Sequence, residues 1–195
     1  MKTDISSYDN SAYNPGGSPI KRLLWYYINI LFFKSAMIPS SSIKCTLLRF
    51  FGAGVGKGVN IKPSVNIKYP WRLIIGDYTW IGENAWIDNL DDVMIGSNCC
   101  ISQGAMLLCG NHNYRKNTFD LITGKITLEE GVWIGAHSVV CPGIICKSHA
   151  VLAVNSVATR NLDPYSIYQG NPAVKVKERI FDHTGETAIT DNQVK

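Results

Sequence analysis

At 195 residues and a net charge of +4, the chain suits one domain large enough to bury its own core. So mild a charge gives no reason to expect nucleic acid as a partner, though it fits a small anionic ligand. The six cysteines (45, 99, 100, 109, 141 and 146) form no C-x-x-C pair and no zinc spacing, and read as reduced structural thiols in a cytoplasmic setting.

Residues 1–19, rich in Ser, Asn, Gly, Pro and Asp, predict a flexible arm. They carry no secretory pattern, because the apolar run begins only after Lys21-Arg22. Residues 20–54 read as an N-terminal helical segment. One helix is expected from Lys21 to Phe33, a break at Pro39-Ser40-Ser41-Ser42, and a second helix over Ile43 to Phe51 capped by Ser41 or Ser42. The apolar run Leu23 to Phe33 is too short for a bilayer span of about 20 residues. It packs on the side or end of the domain that follows or, with Lys21, Arg22 and Lys34 around it, rests on a membrane surface through 21–34.

From Val55 a six-residue rhythm takes over. Val55, Ile61 and Ile67 are six apart, as are Ile75, Ile81 and Ile87, and then Ile95, Ile101 and Leu107. It is clearest from Ile134 to Val157, which reads IGAHSV VCPGII CKSHAV LAVNSV. A period of six is neither helical nor a plain alternation. It predicts one inward side chain per block and a corner after each, stacking into a parallel β-helix. Coils would lie about 4.8 Å apart. Glycines 56, 76, 82, 96 and 135 follow the inward aliphatic, where positive φ is expected.

Between Leu107 and Leu128 the rhythm stops. The loop 108–127 contains CGNHNYRKNTFDLITGKIT, a polar interruption that predicts a site or a subunit contact. His112 opens it. A neutral imidazole is suited to general-base work near neutral pH; the bland alternative is a loop histidine bonding its neighbours. Tyr114, Phe119 and Trp86 could offer apolar faces to a ligand or simply pack. Asp88 and Asn89 fall where the rhythm slips by two and could be exposed polar groups or a solvated turn. His137 and His149 fall on corners. The rhythm returns after Leu128 and runs through Ala158. Val174 to Phe181 predicts a closing helix, and the tail to Lys195, which includes His183, predicts disorder.

These blocks, with the loop histidine and the later GNPA turn, resemble the hexapeptide-repeat acyltransferases. The nearest branch is that of colanic acid biosynthesis, close to the maltose and galactoside O-acetyltransferases. The resemblance covers roughly residues 20–180. It implies an all-β fold, a left-handed parallel β-helix over 55–173, to which the chain's own pattern adds the N-terminal helical segment and a short C-terminal helix within 174–195. It implies His112 as the catalytic base for direct transfer from acetyl-CoA to a carbohydrate hydroxyl, in exopolysaccharide or capsule assembly. Ala136 and Val154 match backbone positions that touch pantetheine. Thr159 and Arg160 match a Thr-Lys/Arg pair, and Gly170-Asn171-Pro172-Ala173 the family's turn. Lys177 matches a later basic position for the coenzyme phosphates, with Lys175 as a stand-in. Asp88 and Asn89 correspond to acceptor-holding residues, and Asp88 could also orient the histidine. A homotrimer and no metal cofactor are implied. N-acetylation of an amino sugar and a non-catalytic scaffold are the alternatives. A zinc hydratase on the same scaffold is a third, but no two histidines here show the five-residue spacing of that site.

Overall fold

The computed structural model describes residues 2–181; the expected disordered tail and His183 lie outside them. Most of the chain is a left-handed parallel β-helix of about six turns. Its first sheet stacks Gly54–Val55, Leu73–Ile75, Val93–Ile95, Ile126–Leu128 and Ile145–Cys146. The second begins with Asn60–Ile61, Trp80–Ile81, Cys100–Ile101, Trp133–Ile134 and Val151–Leu152. The third holds Asn66–Ile67, Trp86–Asp88, Met106–Leu108, Val139–Val140 and Val157–Ala158. Each full coil visits the sheets in that order, so the prism has a first/second, a second/third and a third/first edge.

The register follows the aliphatic ladder. Ile61 lies against Ile81, then Ile101, Ile134 and Leu152, all buried. Two side chains per block face inward rather than the expected one. The fifth place is buried as well, at Ala85, Cys99, Ala105, Ser138, Ala150 and Ser156. Within a strand, residues two apart share a face, so the fifth place and the next aliphatic point together into the core. Burial pushes the thiol of Cys99 up to about 11 and those of Cys109 and Cys146 to about 12, which keeps them protonated and inert at neutral pH.

None of glycines 56, 76, 82, 96 and 135 adopts the expected positive φ. Positive φ falls at the fourth place, where His137 and His149 adopt 55° and 61° and Asn155 adopts 54°. The glycines after the aliphatic serve close approach instead. A Cβ on Gly76 would stand 2.4 Å from the Ser97 nitrogen, and one on Gly135 2.6 Å from the Val154 nitrogen, because the next coil's backbone passes directly over them.

Two helices close the first coil. Helix α1 spans Pro19–Ile28 with Ser18 as its cap and continues as a π-turn over Asn29–Phe33. Helix α2 spans Ser41–Phe50. Its cap is Ser40, not Ser41 or Ser42, and Ser41 is thereby free to bond the solenoid. The first coil has no coil beneath it, so its outward carbonyls need other donors. Trp25 Nε1 donates to Ile67 O at 2.9 Å, Ser41 Oγ to Ile61 O at 3.2 Å, and Lys44 Nζ to Lys62 O at 2.8 Å. Arg49 donates to the Val55 and Gly56 carbonyls at 3.1 and 2.8 Å. The fully buried Lys44 has its pKa lowered by that burial. Trp25 also packs on Phe33 and Phe51, with ring centroids 5.2 and 5.3 Å away. The aromatic run thus packs on the end of the solenoid. Among the described residues no helix is long and apolar enough to cross a membrane.

Residues 2–18 are not a loose arm. Arg72 and Trp71 donate to the Asn14 and Pro15 carbonyls, Tyr13 Oη donates to Leu90 O at 2.7 Å, and Asp4 N bonds Asn117 O at 2.9 Å. At the other end the closing helix is replaced by a hairpin. Ser166–Gly170 joins the second sheet, and Ala173–Glu178 returns antiparallel to it, so the β-domain extends past residue 173. Alternating Val174, Lys175, Val176 and Lys177 suit a strand.

Candidate functional site

The interruption folds as a β-hairpin. Gly110–His112 pairs antiparallel with Leu121–Thr123, His112 opposite Leu121, and it leaves the prism at the third/first edge. His112 is exposed. Its Nδ1 lies 2.6 Å from the carbonyl oxygen of Phe119. That carbonyl can only accept, so in the neutral ring Nδ1 carries the proton and Nε2 keeps its lone pair. Phe119 reaches this position through a φ of 51°. Asp88 does not orient the histidine; the Phe119 carbonyl does. Sequence reasoning considered only the Phe119 ring, and a backbone role leaves no trace in residue type.

A pocket of about 310 Å³ opens beside His112, lined by Ile5, Tyr8, Thr118 and Phe119. Tyr8 meets the imidazole edge-on at 6.2 Å. The polar arm offered no periodicity to suggest that it would reach the hairpin.

Asp88 and Asn89 lie one coil below, on the same edge, and serve different ends. Asn89 is fully buried. Its amide donates to Tyr69 O and accepts from Tyr69 N at 2.9 Å. Both ends of the side chain are thereby spent on the backbone of the Pro70 turn, and the acceptor expectation does not suit it. Asp88 borders a cavity of about 440 Å³ between α1 and the third sheet, with Arg22, Tyr26, Lys34, Lys68 and Trp86. Lys68 Nζ stands 3.0 Å from Asp88 Oδ1, yet that oxygen accepts no well-aligned hydrogen bond among the described residues. That oxygen is closed to solvent and faces Lys68, so a ligand hydroxyl would have to meet the carboxylate at Oδ2.

The coenzyme candidates divide between edges. Ala136 and Val154 stack on the second/third edge, where Asn155 N bonds Ala136 O at 2.9 Å. Asn155 supplies the left-handed backbone there without a glycine. The 170–173 turn continues this edge, with Gly170 N bonded to Ser156 Oγ at 3.0 Å. Thr159 and Arg160 instead follow the third sheet, on the edge of His112. Lys177 lies opposite Ile167 in the closing hairpin. Lys175 is tied to Glu178 at 2.6 Å, whereas Arg160 and Lys177 make no ion pair among the described residues. Two basic groups thus stay available for phosphate, and a corner of small and exposed residues for an extended chain. Within one chain, however, His112 and the Ala136–Val154 ladder stand on different edges of the prism. Among the described residues no group of three or more His, Cys, Asp or Glu side chains could hold a metal ion.

No protein-family model matches the chain. It is 33% identical over 177 residues to the Escherichia coli K12 protein named putative colanic acid biosynthesis acetyltransferase WcaF, covering 91% of this chain and 97% of that one. It is 28% identical over 137 residues to galactoside O-acetyltransferase of the same organism, covering 68% and 67%. The solved structure of a galactoside acetyltransferase in complex with coenzyme A superposes with a TM-score of 0.75 at 26% identity, covering 83% of this chain and 82% of the other.

Proposed function

Because the chain belongs to the hexapeptide-repeat acetyltransferases, we propose that it transfers the acetyl group of acetyl-CoA to a carbohydrate hydroxyl in polysaccharide biosynthesis. The observation that carries the mechanism is the 2.6 Å contact between His112 Nδ1 and the Phe119 carbonyl. With Nδ1–H engaged by the Phe119 carbonyl, Nε2 is the basic atom; it takes the proton of the acceptor hydroxyl as that oxygen attacks the thioester carbonyl, the C–S bond breaks, and the proton passes from Nε2 to the departing coenzyme A sulfur. Bound acetyl-CoA supplies the acetyl group as a thioester. Ala136 and Val154 hold the pantetheine along their edge, while Arg160 and Lys177 meet the phosphates. Asp88 accepts from a hydroxyl of the acceptor, and Trp86 and Tyr26 offer faces to its ring. The assembly is a homotrimer in which one copy's His112 edge meets a neighbour's coenzyme edge. This reading places the protein in the cytoplasm, with a peripheral membrane contact through 21–34.

Calorimetry tests the coenzyme half without knowledge of the acceptor. Acetyl-CoA is expected to bind the purified protein, and Lys177→Ala to weaken that binding several-fold. No heat at millimolar coenzyme would remove this site from consideration.

A further inference from the structure

Helix α1 and the π-turn that continues it have two largely apolar sides, and among the described residues only one is covered. Trp25, Asn29 and Phe33 recur every four residues and are buried on the first coil. On the opposite side Ile20, Leu23, Tyr27 and Leu31 lie 72%, 57%, 56% and 60% exposed, and Leu24 joins them. A helix apolar all round is normally buried on all sides, and here half of it faces outward.

Charge says what covers that half. Residues 19–51 hold five of the chain's 19 Lys and Arg and none of its 15 Asp and Glu. The remaining residues carry slightly more acid than base, so the whole net positive charge resides in this segment; Lys44 and Arg49 are spent on first-coil carbonyls, which leaves Lys21, Arg22 and Lys34 along α1 and its π-turn. Lys21, half-buried with its Nζ 4.9 Å from the Trp71 ring, and Arg22, bonded to the Gly17 carbonyl, lie beside the buried stripe, and the exposed Lys34 follows the apolar face. Apolar residues and tyrosines bordered by cations, with no acid among them, are the composition of a helix lying in the plane of an anionic lipid surface. A second copy of the chain is a poorer occupant, since it would bring the same uncompensated cations into contact.

We infer that the exposed face of α1 docks the protein on an anionic bilayer, Leu23, Tyr27 and Leu31 entering the headgroup layer. The face shares its helix with the Asp88 cavity, which Arg22, Tyr26 and Lys34 also line. Docking therefore sets that cavity beside the lipid surface and favours an acceptor anchored there. This last step rests on the acetyltransferase reading; docking itself does not.

Sedimentation with vesicles tests it on the full chain. The protein is expected to pellet with vesicles of 70% phosphatidylcholine and 30% phosphatidylglycerol, not with phosphatidylcholine alone, and to be released by salt. Leu23→Glu with Leu31→Glu should weaken binding roughly tenfold or more, and Lys34→Gln about fivefold. Circular dichroism and light scattering check fold and assembly; should the double variant misfold, Lys34→Gln and the comparison of vesicle types still decide. Failure to pellet with anionic vesicles would overturn the inference, as would binding that neither variant weakens. A change of oligomeric state in the double variant without vesicle binding would reassign the face to a subunit contact. Since the readout is sedimentation, it is separable from failure of acetyl transfer.

Discussion

His112→Ala is expected to lower the turnover of acetyl transfer by between about a hundredfold and ten-thousandfold, the usual contribution of a positioned general base. Affinity for acetyl-CoA should change little, because the imidazole has no part in the contacts proposed for the pantetheine and the phosphates. The fold should be untouched as well, since His112 is exposed and, among the described residues, its ring bonds only the Phe119 carbonyl. The measurement is kcat and KM with a glycan acceptor, alongside calorimetry of the coenzyme. Activity within a few-fold of wild type would place the base elsewhere. His112→Gln is informative beside it. Its amide nitrogen can donate to the Phe119 carbonyl, but its oxygen is a far weaker base than Nε2. Hairpin order should therefore persist while turnover stays near that of the alanine variant.

Trp25→Ala should remove about 3–5 kcal/mol of stability, the range for truncating a buried tryptophan. Two losses add there. The ring leaves a space against Phe33 and Phe51, and Ile67 O loses the donor that replaces a missing coil. Trp25→Phe separates them. It keeps most of the packing but orphans the carbonyl, which costs about 1–3 kcal/mol. Urea unfolding of the two variants gives both numbers. A loss below about 1 kcal/mol for Trp25→Ala would mean that α1 contributes little to closing the solenoid.

Much of the architecture could be read from residue pattern. The ladder Ile61, Ile81, Ile101, Ile134 is visible as a period, because each coil repeats the same packing problem and so demands the same residue type. The hairpin was visible as the place where that demand lapses. Other features were opaque for identifiable reasons. Gly76 and Gly135 look like turn glycines, and only the passage of the next coil shows that their missing Cβ matters. Alternation in Val174–Lys177 suits a strand, but a helix of similar length fits the same apolar count. Asn89 reads as an exposed polar residue, since its burial depends on Tyr69, twenty residues away across the stack. Long-range side-chain-to-backbone bonds, such as those from Trp25 to Ile67 and Lys44 to Lys62, have no local sequence signal at all.

The placement of His112 and of the Ala136–Val154 ladder on separate edges carries a genetic consequence. A protein with His112→Ala and another with Val154→Trp on the coenzyme edge would each be inactive alone. Dissociated and reassembled together, they should complement one another, because some junctions then receive an intact histidine from one parent and an intact ladder from the other. With random mixing in a cyclic assembly, about a quarter of the junctions inherit both. Recovery towards that level, from two preparations that each show none, would demonstrate that the working unit is the boundary between copies and not the single chain.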